Sequence, residues 1–172
     1  LNIVQSLSKV ELINQSSKGF LSAWNEGINA STGDILGFLD SDDIMLPNAL
    51  SNAIKLFQAK KDTQVVFGGV EFFSNECNLH HNFRKQLITG SHEAHIPGCM
   101  FIKREIFDAF GYFPNDWEIL GDLVWFSDLL RSEFVIRYLP VTSLRKRVRS
   151  DSLSLRMSST SIYSNELIRL IR

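Results

Sequence analysis

The chain has 172 residues, of which 18 are Lys or Arg and 19 are Asp or Glu, and its formal net charge is -1. This length suffices for one domain with a sizeable core, and the balanced charge gives no reason to expect a nucleic-acid partner. Two cysteines are too few for a disulfide framework, and no apolar run approaches the roughly 20 residues that span a bilayer. We therefore predict a single domain over residues 1–172 with reduced thiols, which favours the cytoplasm.

Strands and helices are predicted to alternate in the first half of the chain. Phe20, Trp24 and Ile28 recur at helical spacing, whereas the apolar run that ends at Leu39 is short and continuous, as in a buried strand. The predicted elements are a strand over 9–14, a helix over 20–33, a strand ending at 39, a helix from 47 and a strand over 65–73. This alternation is typical of an α/β fold with a mostly parallel sheet covered by helices on both faces.

The second half of the chain begins with a long polar loop over 74–95. The elements predicted after it are a strand over 99–102, a helix over 103–110, a helix over 122–131, strands over 134–139 and 144–149, and an amphipathic helix over 159–172. No repeat or linker divides the chain, so these elements are expected to belong to one domain.

An acidic turn follows the predicted strand that ends at Leu39. It contains Asp40, Asp42 and Asp43, the first two in a D-x-D arrangement. Ligands of open α/β sheets bind at the carboxyl ends of strands, and crowded carboxylates repel one another unless a cation or a sugar hydroxyl satisfies them. Mg²⁺ or Mn²⁺ commonly shares one or two carboxylates with substrate phosphates. The turn therefore predicts a metal–diphosphate site, and the alternative is a polar turn that caps the next helix.

Six motifs occur in order along the chain: KGFLSAWNEGI at 18–28, STGD at 31–34, FLDSDD at 38–43, PGCMFIKRE at 97–105, GYF at 111–113 and GDLVW at 121–125. Together they resemble the family 2 glycosyltransferases of the GT-A fold over most of the chain, from about residue 9 to 154. The resemblance implies a GT-A-like, Rossmann-like domain. It also implies that the first strands of the family, which hold the nucleotide base, would precede Leu1.

The resemblance assigns roles to residues of the acidic turn and of a later helix. Asp42 is expected to bind Mg²⁺ or Mn²⁺, and Asp40 and Ser41 are expected to lie against the nucleotide sugar and the cation. Asp122 is expected to be the general base that deprotonates the acceptor hydroxyl. Trp125 and Phe126 could wall the acceptor or raise the pKa of the base by burial. The alternative for Asp122 is that it caps its helix.

Three further residues match family positions near the nucleotide sugar. Lys18 and Asn25 precede the acidic turn, and Arg149 stands where related enzymes often have a histidine. A guanidinium can hold a diphosphate bidentately, whereas Asn25 could instead make structural hydrogen bonds. The basic run 145–149 could be a phosphate clamp, a surface for acidic lipid head groups or a solvated edge strand.

The resemblance implies transfer of a hexose-type sugar from a nucleotide-diphosphate sugar to a hydroxyl of a glycan or lipid-linked acceptor, with inversion. The expected setting is cell-envelope polysaccharide or glycan synthesis in the cytoplasm, with peripheral association at the inner face of the membrane. Two alternatives remain open. One is a truncated GT-A-like module that binds without catalysis. The other is a D-x-D phosphatase of the haloacid dehalogenase type, in which Asp40 is the nucleophile and Asp42 the acid/base.

Overall fold

The computed structural model describes residues 10–76, 83–152 and 160–171. Its helices are α1 (Phe20–Ala30), α2 (Ala49–Ala59), α3 (Glu105–Phe110), α4 (Gly121–Arg131) and α5 (Ser161–Ile171). Its strands are β1 (Ile35–Gly37), β2 (Ile44–Met45), β3 (Val65–Phe73), β4 (Met100–Lys103) and β5 (Ile136–Arg147). None of the helices in the described ranges combines the length and the apolar character that crossing a bilayer requires.

The five strands form one sheet in the order β1-β4-β3-β5-β2. β3 pairs in parallel with β5, whereas β4 is antiparallel to both β1 and β3, and β2 is antiparallel to β5. The α/β class is confirmed, but the prediction of a mostly parallel sheet is wrong for the described pairings. Only parallel neighbours need a long crossover, and the described part of the β3–β4 connection holds 3₁₀ turns rather than a covering helix.

Helices cover both faces of the sheet, as predicted. Successive residues of β3 point to opposite faces, so Val66 joins one core cluster while Val65 and Phe67 join the other. The smaller cluster lies under α2, which contributes Ala49, Ala53 and Phe57. The larger cluster lies on the opposite face with α1 and α4, and aromatic rings fill much of it. This second face carries the site described below.

The structure corrects two strand predictions. Residues 10–14 form no strand, and the strands predicted over 134–139 and 144–149 are the single strand β5. Pro140 does not end β5, because the register against β3 shifts between Phe67 and Gly69 and the extra residues of β5 bulge out of the ladder. Gly68 makes room for this bulge, since a Cβ at that position would lie 2.2 Å from Ser143 Oγ.

Candidate active site

A cleft of about 460 Å³ opens beside the turn that follows β1. Asp40 and Asp42 of the acidic turn line it, together with Asp122 from the first turn of α4. The remaining lining residues are Phe20, Trp24, Ile96, Pro97, Ile119, Lys146, Arg147 and Ser152. The fold thus brings the acidic turn and Asp122 into one cleft with apolar walls and two basic side chains.

The carboxylates of the acidic turn differ in exposure and in their partners. The side chain of Asp43 is only 1% exposed, and it accepts hydrogen bonds from Lys146 Nζ at 3.1 Å and from the backbone N–H of Arg147 at 2.8 Å. Burial raises the pKa of Asp43, and its contacts with Arg147 and Lys146 oppose that rise. Asp40 accepts a second hydrogen bond from Lys146 Nζ, also at 3.1 Å. Asp43 therefore anchors the turn to β5, while Asp40 lines the cleft.

Asp42 is about as exposed as Asp40, whose side chain is 41% exposed, but its basic neighbour lies farther away than Lys146 lies from Asp40. Its side chain is 39% exposed and lies 3.9 Å from Nη1 of Arg149, and its backbone carbonyl accepts a hydrogen bond from Arg147 Nε. In the described ranges, no three His, Cys, Asp or Glu side chains are grouped so as to hold a metal ion. Asp40 and Asp42 nevertheless fit a divalent cation that draws its other ligands from a diphosphate and water, since Mg²⁺ is commonly bound through one or two carboxylates.

Asp122 lies in the first turn of α4, where its Oδ1 accepts a hydrogen bond from the N–H of Leu123 at 2.8 Å. Burial raises the pKa of Asp122, and the hydrogen bond from Leu123 and the charge of Lys146 oppose that rise. Leu120 is the N-cap residue, but Asp122 accepts an N–H of the first turn and so also stabilises the start of α4, in keeping with the capping alternative. A partly desolvated carboxylate that lines a cleft is suited to take a proton from a bound hydroxyl.

Trp125 and Phe126 do not form the predicted wall of the cleft. They are 4% and 2% exposed, and the indole Nε1 of Trp125 donates to the carbonyl of Gly111 at 3.0 Å. Both rings belong to the larger core cluster beneath α4. The apolar wall is instead built by residues of α1, the β3–β4 connection and the segment before α4.

Lys18, Asn25, Ser41 and Arg149 are not among the residues that line the cleft. The amide of Asn25 is buried and bonds the backbone N–H and carbonyl of Phe113 at 3.1 and 2.8 Å, which supports the structural alternative for this residue. Arg149 pairs bidentately with Asp151 beside Asp42. Lys18 and Ser41 are exposed. Contacts of these four residues with a nucleotide sugar stay predictions.

Lys146 is a site residue that the sequence analysis placed only within a basic run. Burial lowers its pKa, but the charges of Asp40 and Asp43 outweigh burial and raise the pKa overall, so the cleft holds a fixed cation. Alternation along β5 puts Lys146 on the same face as the buried Leu144. Its neighbours Arg145 and Arg147 instead lie over the ring of Phe73. This alternation was the available signal for Lys146, although Arg147 also lines the cleft, where its Nε donates to the carbonyl of Asp42.

Two curated relatives resemble parts of this chain. An uncharacterized glycosyltransferase of Nostoc sp. is 37% identical over 54 residues, which cover 31% of this chain and 17% of that protein. An uncharacterized glycosyltransferase of Methanocaldococcus jannaschii is 27% identical over 73 residues, which cover 42% of this chain and 25% of that protein. The matched stretches therefore span no more than a quarter of the length of either relative.

Solved structures share the fold over a larger part of the chain. S. aureus TarS in complex with UDP superposes with a TM-score of 0.55 at 16% identity, covering 86% of this chain and 42% of that chain. A mycobacterial protein superposes with a TM-score of 0.51 at 18% identity, covering 96% and 55%. The family model described as Glycosyl transferase family 2 matches residues 1–111. Because that match covers more than half of the sequence, the chain belongs to glycosyl transferase family 2.

Proposed function

We propose that this domain transfers a hexose-type sugar from a nucleoside diphosphate sugar to a hydroxyl group of a glycan or lipid-linked acceptor. The observation that carries the proposal is the cleft in which Asp40, Asp42 and Asp122 converge. Family membership supports sugar transfer rather than the phosphatase alternative. The likeness to TarS, which was solved in complex with UDP, supports a nucleotide donor.

On the donor side, Asp42 and Asp40 would hold Mg²⁺ or Mn²⁺ against the diphosphate. When bound, such an ion supplies positive charge that stabilises the departing diphosphate. Lys146 adds a fixed ammonium group to the same cleft, since its side chain is 32% exposed there despite its ion pairs. Arg149 lies next to Asp42 and could bind a phosphate oxygen by exchanging its partner Asp151.

On the acceptor side, Asp122 would accept the proton of the acceptor hydroxyl as that oxygen attacks the anomeric carbon. The new carbon–oxygen bond forms while the bond to the diphosphate breaks, and the diphosphate leaves with the electron pair. A single displacement of this kind inverts the anomeric centre. Proton NMR of the product would test it, because a retained anomeric configuration contradicts the direct displacement.

We further place this reaction in cell-envelope polysaccharide or glycan synthesis at the cytoplasmic side of the membrane. Nucleotide sugars are charged donors, and a lipid-linked acceptor would explain the basic residues at the end of β5. The test is co-sedimentation with vesicles that contain acidic lipids, compared with neutral vesicles. Equal recovery of the protein with both vesicle types would remove the membrane part of this proposal.

Donor binding can be tested by calorimetry with UDP in the presence of Mn²⁺ or of a chelator. We expect UDP binding to depend on Mn²⁺ and to weaken about tenfold or more in Asp42→Asn, because a lost carboxylate ligand lowers metal affinity. Asp108→Asn is the matched control, since it makes the same change at an exposed position of α3. Metal-independent UDP binding, or an Asp42→Asn variant with unchanged affinity, would contradict the donor site.

One observation favours the non-catalytic alternative. Lys146 already pairs with Asp40 and Asp43, so part of the charge of the acidic turn is neutralised within the chain. A binding module would hold UDP without turning over a donor. A transferase should instead release UDP from at least one of UDP-glucose, UDP-galactose and UDP-N-acetylglucosamine in the presence of Mn²⁺, with water in place of the acceptor hydroxyl. UDP binding without release from any of the three would favour the non-catalytic module.

A further inference from the structure

The last helix, α5, carries a carboxylate on its buried side. Glu166 is 9% exposed, and the neighbouring Tyr163, Leu167 and Leu170 pack against the larger core cluster. A glutamate is rarely buried unless its charge is met by partners. The groups that bind the carboxylate of Glu166 therefore indicate its structural role.

Three successive backbone N–H groups converge on this carboxylate. Glu118 N lies 2.6 Å from Oε1 of Glu166, and Ile119 N and Leu120 N lie 3.1 and 2.8 Å from Oε2. These residues lead directly into α4, whose N-cap Leu120 has no side-chain cap. A negative charge is stabilised at the positive end of a helix, and hydrogen bonds to a carboxylate are strong. Glu166 thus holds the segment that leads into α4 from a distant helix, through N–H groups that precede the first helical residue, Gly121.

A second contact of α5 holds the same segment. The guanidinium of Arg169 pairs with the carboxylate of Asp116 and lies over the ring of Trp117, 4.2 Å from its centroid. The two side chains of α5 therefore hold both ends of the segment 116–120. This segment ends two residues before Asp122, so its position fixes the first turn of α4 and the direction of the candidate base.

We propose that Glu166 is a positioning residue for Asp122, an inference that rests on the proposed function. Glu166 is not among the residues that line the cleft, so it acts through the segment before α4 rather than on the substrate. Its loss frees three N–H groups and loosens the turn that carries the base. Displacement of a reacting group by about 1 Å can cost about 100-fold in rate, so turnover should suffer more than donor binding.

The test is Glu166→Gln, which keeps the size of the side chain but replaces one acceptor oxygen with an NH₂ group. We expect kcat for release of UDP from the UDP-sugar that is turned over to fall about 10- to 100-fold. Donor KM, and UDP affinity with Mn²⁺, should change by less than about twofold, because the donor contacts are intact. The control Glu133→Gln makes the same change at an exposed residue and should alter neither quantity.

A folded Glu166→Gln protein with wild-type kcat overturns the positioning role, and so does one that loses donor affinity as strongly as kcat. Asp122→Asn separates the two proposals. If Asp122→Asn is inactive while Glu166→Gln has wild-type kcat, only the positioning role of Glu166 is contradicted. If Asp122→Asn turns over at the wild-type rate, both the role of Asp122 as the base and the positioning role of Glu166 are contradicted.

Amide hydrogen exchange tests the role of Glu166 if the Glu166→Gln variant does not fold, or if none of the three UDP-sugars is turned over. In the wild-type protein, the amides of residues 118–120 should exchange much more slowly than the amide of Ser41 in its exposed turn. Equal exchange at the two places would show that Glu166 does not hold the segment, and the proposal would fall.

Discussion

Burial raises the pKa of the Asp122 carboxyl, and the N–H of Leu123 and the charge of Lys146 only partly offset it. A general base works in its ionised form, so kcat/KM should rise with pH as Asp122 loses its proton. The midpoint of this rise should lie above the ordinary aspartate value of about 3.9. Initial rates measured across the acidic range with one donor give this midpoint, and a midpoint at or below the ordinary value would contradict the effect of burial.

The same burial predicts that the ionised Asp122 lowers stability. Because its pKa is higher in the folded chain than in the unfolded chain, stability is lost as the pH rises from the unfolded value through the folded value. At neutral pH, Asp122→Asn should therefore melt at the wild-type temperature or above it, since the amide oxygen can still accept from Leu123. A thermal melt checks this, and a clearly lower Tm for Asp122→Asn would reverse the sign.

Lys146 should contribute to stability as well as to the cleft. Lys146→Ala removes the ammonium partner of Asp43, whose side chain is almost completely buried. We expect the free energy of unfolding in urea to fall by about 1–3 kcal/mol, because a buried carboxylate would lose one of its hydrogen bonds and its ion pair. Lys55→Ala on the exposed side of α2 is the control. Equal free energies for the two variants would mean that the ion pair contributes nothing.

At the scale of the elements, the bulge between β3 and β5 requires a small residue at position 68. A Cβ added to Gly68 would lie 2.2 Å from Oγ and 2.5 Å from Cβ of Ser143. Gly68→Ala should lower the free energy of unfolding by about 1–3 kcal/mol, and the addition of Ser143→Gly should restore part of this loss. Gly27→Ala is the control, because a Cβ there meets nothing within 4 Å. Strictly additive effects of the two substitutions would contradict the steric account.

The spacing of apolar and polar residues along the chain predicted most helices and strands. It could not predict which strands pair or in which direction, because pairing depends on contacts between distant parts of the chain. The run Val65–Phe73 was predicted with its observed bounds because a mostly apolar stretch is bordered by polar residues. The predicted start of α4 differs from the observed one by a single residue. The antiparallel direction of β4 was not predicted, and the strands predicted over 134–139 and 144–149 are one strand because the bulge that joins them is a tertiary feature.

Some residues of the candidate site could likewise be predicted from the sequence, and others could not. Asp40, Asp42 and Asp122 could be chosen from their motifs, and the fold brings them together, although their roles stay predictions. Lys146 and Glu166 could not be chosen this way. Their importance lies in contacts with the acidic turn and with the segment before α4, which are distant in sequence.

At the scale of the whole molecule, both faces of the sheet are packed, and the candidate site lies on one of them. α2 closes one face with small and aromatic side chains. The opposite face supports α1, α4 and α5, and the cleft draws its side chains from the turn after β1, from α4 and from β5. Because these parts are far apart along the chain, the cleft can form only when the whole domain folds.

The central claim, that this cleft transfers a sugar with Asp122 as the base, is tested most directly by a single-turnover measurement. Wild type or Asp122→Asn, in excess over a UDP-sugar, is mixed with Mn²⁺, and water serves as the hydroxyl that attacks the sugar. The release of UDP is followed while donor affinity is measured on the same samples. We predict wild-type donor affinity for Asp122→Asn and a release rate about 100- to 10,000-fold slower. Release at the wild-type rate would contradict the claim.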